Sequence, residues 1–238
     1  TFDKISSRSN SYILKCFKNA LFIIKNYGGY LINGPVSKKY FLLKKYLGIT
    51  EFLSSSLKKK DPVMLIYNPN FSVSPITTHL PINKISRAIS KKKIINKNLK
   101  IDNFYKKYLH KIPKIALLGL NPHCETIDEI GEEEKFIIPA LSYLRKKKIN
   151  INGVFPADTF FSKKNLKNFD VVVGMYHDQV LTPMKTIYEF NAINITLGLP
   201  FIRISPDHGP NNPMLGKNIS NADSFFASID FIKKINGI

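Results

Sequence analysis

Cysteine, arginine and tryptophan are scarce in this 238-residue chain: two cysteines, four arginines and no tryptophan. Cys16 and Cys124 are too few and too far apart to suggest a disulfide framework. Thr1 to Asn10 is polar and lacks the apolar segment of a secretory signal. Both features point to a reducing, cytoplasmic compartment. No apolar run approaches the roughly 20 residues needed to span a bilayer. The longest, such as Ile115 to Leu120, are strand-sized, so no membrane partner is expected. The chain also begins without Met, so the expectation is either a fragment of a longer protein or a chain that works without the missing segment. Acidic residues are few, 17 against 36 basic, giving a net charge of +19. Such a charge invites a nucleic-acid reading. The shortage of arginine argues against it. Only Arg8, Arg87, Arg145 and Arg203 offer the bidentate fork that phosphate and guanine favour. Lysine is instead spread over every expected surface. Its short blocks, Lys58-Lys59-Lys60, Lys91-Lys92-Lys93 and Lys146-Lys147-Lys148, fall at expected helix ends, where cations complement the helix dipole. No nucleic-acid partner is expected.

At 44% hydrophobic, the chain can bury a substantial core. Ile13, Phe17, Ala20 and Ile24 recur at helical spacing, so Ser11 to Asn26 reads as an amphipathic helix stopped by Gly28-Gly29. Tyr30 to Ile32 and Val63 to Tyr67 read as buried strands. Helices are expected around Lys38 to Tyr46, Glu51 to Leu57, Pro81 to Ser90 and part of Ile94 to Leu109. Ile115 to Gly119 is a strand closed by Leu120-Asn121-Pro122. Glu132 to Lys148 is a helix, acidic in its first turn and basic in its last. Lys163 to Asp170 reads as a loop before the buried strand Val171 to Met175. Ile193 to Leu197 and Phe201 to Ile204 are further strands, and Ser220 to Ile235 closes the chain as a helix. Strands alternating with helices argue for an α/β fold with a largely parallel sheet.

Three of the five histidines share a context. His79 follows an expected strand in Thr77-Thr78-His79-Leu80-Pro81. His123 follows the strand ending at Gly119, and His177 follows the strand ending at Met175. In a parallel sheet the carboxyl ends of strands line the ligand crevice. Three imidazoles there could converge on Zn, Co, Fe or Ni with a position left open for substrate oxygen. Each could instead be an ordinary hydrogen-bonded histidine. His110 sits in a Lys-rich helical stretch and reads as exposed; His208 is a turn residue able to contact a ligand.

These segments resemble the 4-hydroxythreonine-4-phosphate dehydrogenases of vitamin B6 synthesis. The resemblance is carried by GPVSK at Gly34 to Lys38, TTHLP at Thr77 to Pro81, GLNPH at Gly119 to His123, PADT at Pro156 to Thr159, MYHDQ at Met175 to Gln179, NITLGLPFIR at Asn194 to Arg203 and DHG at Asp207 to Gly209. It implies an isocitrate/isopropylmalate dehydrogenase-like α/β fold of two lobes with flanking helices. Residues 1–238 form one such unit with no readable internal boundary, incomplete at its N-terminal side relative to the family. It implies a homodimer whose subunits share the active site, with one divalent metal (Zn, Mg or Co) held by His79, His123 and His177. Lys185, Asn194 and Arg203, with Thr50, are implied to anchor a small phosphorylated hydroxy acid; Lys and Arg suit its anionic groups. The implied activity is metal-assisted oxidation of 4-phosphohydroxy-L-threonine by NAD, followed by decarboxylation to 3-amino-2-oxopropyl phosphate. Asp158 and Asp178 are candidates for proton handling or for orienting the ligand histidines, although Asp158 could simply cap a helix or turn. His208 and Gly209 are candidates for contacting the cofactor.

Four departures from the family pattern bear on these expectations. The N-terminal segment with its GDPAGIGPE-like motif is absent. The GHTE motif is Gly48-Ile49-Thr50-Glu51 here, and Ile49 cannot hydrogen-bond. The Gly-rich loop after GLNPH is replaced by Cys124 to Asp128, and the run after DHG by Pro210 to Gly216. The last change alters a loop that helps hold the cofactor adenosine in the related fold. Two further readings follow: a dehydrogenase of a related four-carbon acid phosphate, such as threonate or erythronate phosphate, and an inactive metal-binding relative.

Overall fold

The structure, a computed structural model, describes residues 9–37, 46, 48–59, 61–126, 130–189, 191–210, 212–214 and 216–238. The helix expected around Lys38 to Tyr46 lies outside these residues except for Tyr46. In chain order the strands are β1 (Leu31–Ile32), β2 (Val63–Asn68), β3 (Phe71–Thr77), β4 (Ile115–Leu118), β5 (Ile151–Phe155), β6 (Val171–Tyr176), β7 (Ile193–Leu197) and β8 (Arg203–Pro206). The α-helices are α1 (Ser9–Tyr27), α2 (Ile49–Ser56), α3 (Ile85–Ala88), α4 (Lys91–Tyr108), α5 (Ile138–Lys146), α6 (Ala157–Phe160), α7 (Lys163–Asn168), α8 (His177–Tyr188) and α9 (Asp223–Ile235). The chain divides into two compact units, one of Thr1–Pro62 with Phe190–Ile238 and one of Val63–Glu189.

The second unit is a sheet in the order β2-β3-β6-β4-β5. β2 and β3 are antiparallel; β3, β6, β4 and β5 run parallel. Its central strands explain the pattern. Val171, Val172 and Val173 of β6 and all four residues of β4 are wholly buried, as expected of parallel strands covered on both faces. Helix α4 supplies Ile94 and Ile101 to the core, and α5 supplies Ala140 and Leu144. In the first unit β8 pairs parallel with β1 and antiparallel with β7. Phe17 of α1, Leu31 of β1 and Ile49 and Leu53 of α2 form its core cluster. Ile49 is thus a packing residue.

Three local expectations are corrected. Lys163 to Asp170 is not simply loop: α7 forms there, and the Ser162 hydroxyl accepts the Asn165 amide hydrogen at 3.5 Å. Lys91-Lys92-Lys93 opens α4, so these cations face the positive end of the helix dipole rather than complementing its negative end. Pro81 to Ser90 contains only a short 3-10 turn, Ile82–Lys84, and the single turn α3.

One buried phenol ties α4 to the sheet. The Tyr105 hydroxyl donates to Ser72 Oγ at 2.9 Å, and burial pushes its pKa well above the usual 10. The unfolded chain releases this proton near pH 10 while the folded chain retains it. Stability is therefore full below that pH and is lost as pH rises beyond it, by about 1.4 kcal/mol per pH unit. Tyr105→Phe is expected to flatten this alkaline decline, at a cost of about 1 kcal/mol at neutral pH for the lost hydrogen bond. Urea unfolding at pH 8 and pH 11 (values chosen to bracket that titration) checks it, and an equally steep decline in the variant would contradict it.

Candidate functional site

Three adjacent parallel strands of the second unit, β3, β6 and β4, carry histidines beyond their carboxyl ends. Thr77, the last residue of β3, pairs with Tyr176, the last of β6, and its hydroxyl donates to the Met175 carbonyl at 2.8 Å. His79 lies two residues beyond β3 and His177 immediately beyond β6. Their ring centroids are 5.5 Å apart, and both residues are half-buried. His123 lies beyond β4 in the 3-10 turn Pro122–Cys124 and is exposed. His79 and His123 both have left-handed backbones, φ 51 and φ 54, a conformation that costs non-glycine residues energy and that clusters at functional sites. His110 also has positive φ but lies exposed just past the end of α4.

Asp178 Oδ1 lies 2.6 Å from His177 Nδ1. A carboxylate there fixes the tautomer and leaves Nε2 for a ligand. It is also in the first turn of α8, where negative charge is favoured. Among the described residues, no three His, Cys, Asp or Glu side chains come together as a metal-holding group. The donor types and the His79–His177 pair suit a divalent metal, but His123 of the same chain does not complete a three-ligand set. Asp158 is exposed in the first turn of α6, whose N-cap is Pro156, so it does not cap that helix. Burial pushes the Cys124 thiol pKa up, with Glu133 and Asp158 adding to the effect, which places Asp158 near the His123 turn.

Sequence reading missed two buried side chains here. The Gln179 carboxamide accepts from Met175 N at 2.6 Å and donates to Gly119 O at 2.7 Å. Glu133, wholly buried, accepts from Leu120 N at 2.7 Å and from Asn121 N at 2.9 Å. Asn121 Nδ2 donates to Glu133 and to Glu132, each at 2.8 Å. The Ser86 hydroxyl donates to Glu132, and these hydrogen bonds lower the Glu132 pKa.

In the first unit Arg203 is 3% exposed. Its Nε donates to Asn33 Oδ1 at 2.6 Å and its Nη1 to Thr196 Oγ1 at 3.2 Å. Burial pulls its pKa down to about 10, opposed by the charge of Glu51. A desolvated guanidinium whose bonded partners are neutral favours an incoming anion. The Thr50 hydroxyl, at the start of α2, lies 3.4 Å from that of Thr196. Asn194 Oδ1 is shut off from solvent and has no hydrogen-bond partner among the described residues. His208, two residues beyond β8, lines an open cleft of about 580 Å³ with Pro35, Pro210, Met214 and Asn218. Its Nδ1 lies 3.0 Å from the Gly209 carbonyl oxygen. Lys185, in the last turn of α8, is half-buried. No described helix is long and apolar enough to cross a membrane.

Residues 1–232 match the sequence profile of the family described as pyridoxal phosphate biosynthetic protein PdxA. The chain is 41% identical over 204 residues to a 4-hydroxythreonine-4-phosphate dehydrogenase of Sulfurihydrogenibium sp., an alignment that covers 84% of this chain and 63% of the relative. It resembles the crystal structure of the Klebsiella pneumoniae enzyme of the same name at 28% identity and TM-score 0.83, covering 98% of this chain and 73% of that one. A terephthalate 1,2-cis-dihydrodiol dehydrogenase from Burkholderia xenovorans shares the fold, at 18% identity and TM-score 0.71, covering 97% and 75% of the two chains. These neighbours agree with a mostly parallel α/β fold of isocitrate/isopropylmalate dehydrogenase type. The chain spans under two thirds of the length of the curated relatives it matches first, 63% and 62%.

Proposed function

The chain belongs to the pyridoxal phosphate biosynthetic protein PdxA family, and from that premise we propose that it is a metal-dependent NAD oxidoreductase in vitamin B6 synthesis. Its substrate is 4-phosphohydroxy-L-threonine, oxidised to a β-keto acid that decarboxylates to 3-amino-2-oxopropyl phosphate. One observation carries the reading: three neighbouring parallel strands each lead into a histidine, and two of the rings stand 5.5 Å apart. A divalent metal (Zn, Mg or Co) on His79, His123 and His177 would supply Lewis acidity toward the substrate hydroxyl.

The chain's own residues take the other roles. Asp178 holds His177 through Nδ1 and presents Nε2. Arg203 and Lys185 neutralise the phosphate and carboxylate. Asn194 Oδ1 accepts a substrate N–H or O–H, which would satisfy a buried atom that has no partner among the described residues. Thr50 supports that end of the substrate through Thr196. Asp158, exposed to solvent, handles protons. His208 and Gly209 contact NAD, which accepts the hydride. As the family resemblance implies, the reading includes a homodimer in which both copies contribute to the site, working in the cytoplasm; among the described residues of one chain no three metal ligands come together.

A second reading, oxidation of a related four-carbon acid phosphate, is favoured by Ile49, which packs into the core with Phe17 and Leu53 and offers the substrate no polar group. NADH formation from 4-phosphohydroxythreonine, threonate phosphate and erythronate phosphate, with Mg, Zn or Co added, decides between them. The first substrate is expected to be preferred. Preference for either acid without the amino group would establish the second reading, and metal binding without turnover of any substrate would leave an inactive metal-binding relative.

A further inference from the structure

Gly119, Leu120 and Asn121 lead from β4 into the turn that carries His123, and the backbone of all three is gripped by buried side chains. Gln179 binds the Gly119 carbonyl at 2.7 Å, and Glu133 binds the Leu120 and Asn121 amides at 2.7 and 2.9 Å. The other end of the Gln179 carboxamide accepts the Met175 amide hydrogen at 2.6 Å, at the end of β6 and two residues before His177. Glu133 also holds the Asn121 side chain at 2.8 Å, and Cys124 N donates to Asn121 O at 3.1 Å to close the turn. Two glycines make room for these grips. A Cβ on Gly174 would lie 2.7 Å from Gln179 Oε1, and one on Gly119 would lie 3.0 Å from Glu133 Oε1. Neither Gln179 nor Glu133 has a role in the proposed chemistry.

We infer that Gln179 and Glu133 are positioning residues, a paired brace that fixes the His123 turn relative to the strand end that carries His177. The brace rests on the proposed role of those histidines as metal ligands. Buried polar groups are costly unless fully bonded, so a satisfied pair specifies one geometry and resists others. Without Gln179 the turn would keep its hold on Glu133 but lose its register against β6. Without the Glu133 contacts the turn itself would loosen.

Two variants test it. Gln179→Glu keeps an oxygen for Met175 N but places a carboxylate oxygen against the Gly119 carbonyl. Asn121→Ala removes the side-chain hold from a half-buried turn position and leaves the backbone bonds to Glu133 in place. In each, Co2+ affinity by titration calorimetry is expected to fall roughly ten- to hundredfold, the range for residues that orient ligands. The visible absorption of bound Co2+ is expected to shift, while far-ultraviolet circular dichroism stays that of the parent. In metal-free Asn121→Ala the backbone amides of residues 120 and 121, both held by Glu133, are expected to exchange hydrogen faster than in the parent. Parental Co2+ affinity and spectrum in folded variants, or unchanged protection of those two amides, overturns the brace. If Gln179→Glu does not fold, Asn121→Ala decides alone. If the parent chain binds no Co2+, the metal reading fails by itself, and amide exchange still judges the brace.

Discussion

His177→Ala is expected to yield a folded chain that has lost both tight metal binding and turnover. The side chain is half-buried at the start of α8 and contributes little to the core, which in this unit is built by β4, β6, α4 and α5. Its removal should therefore leave thermal stability within about 1 kcal/mol, as for other substitutions outside the packed interior. Loss of a metal ligand removes several kcal/mol of charge stabilisation, so turnover should fall by roughly a thousandfold or more. His79→Ala and His123→Ala are expected to lose metal likewise, while His208→Ala keeps its metal and loses affinity for NAD. Metal content by elemental analysis across these four variants checks the assignment. A His208 variant that loses metal while His79→Ala retains it would move the third ligand to the turn beyond β8. Full turnover in His177→Ala would end the metal role of the β6 histidine.

Arg203→Met is the second large effect. A hydrogen bond to a charged group is worth about 1.5–3 kcal/mol. At about 1.4 kcal/mol per factor of ten, each such bond lost to the substrate weakens binding by roughly ten- to hundredfold. Stability should move little, because methionine removes a desolvated charge whose pKa burial has already pulled down to about 10. It does leave Asn33 Oδ1 without its 2.6 Å donor, a modest opposing cost. Arg203→Lys keeps the charge but not the planar fork that spans Asn33 and Thr196, and should recover only part of the affinity. Calorimetric titration with the phosphorylated substrate, alongside thermal melts, separates the two effects. Unchanged affinity in Arg203→Met would remove Arg203 from the substrate site.

The sequence made the framework legible where burial imposes a period or a run. Helix α1 announces itself through Ile13, Phe17, Ala20 and Ile24, and β4 and β6 through unbroken apolar runs. Strand β5 is hidden because Asn152 and Gly153 interrupt its apolar character. Helix α8 is hidden because it contains Pro183 and begins with the polar His177-Asp178-Gln179. The histidines stood out because strand ends are where a parallel sheet exposes chemistry. Their supports did not. Glu133 lies in a run of three glutamates that reads as a solvated first turn, yet it is wholly buried. Gln179 shows no pattern at all, since its role depends on the spatial adjacency of Met175 and Gly119. Ile49 read as a missing polar contact. The structure adds that it is spent on the core instead.

The most direct test is NADH formation from 4-phosphohydroxythreonine by protein stripped of metal with a chelator, before and after Co2+, Zn2+ or Mg2+ is restored. The account predicts no turnover in stripped protein and recovery that saturates at one metal per site. Turnover at the same rate without metal would contradict it.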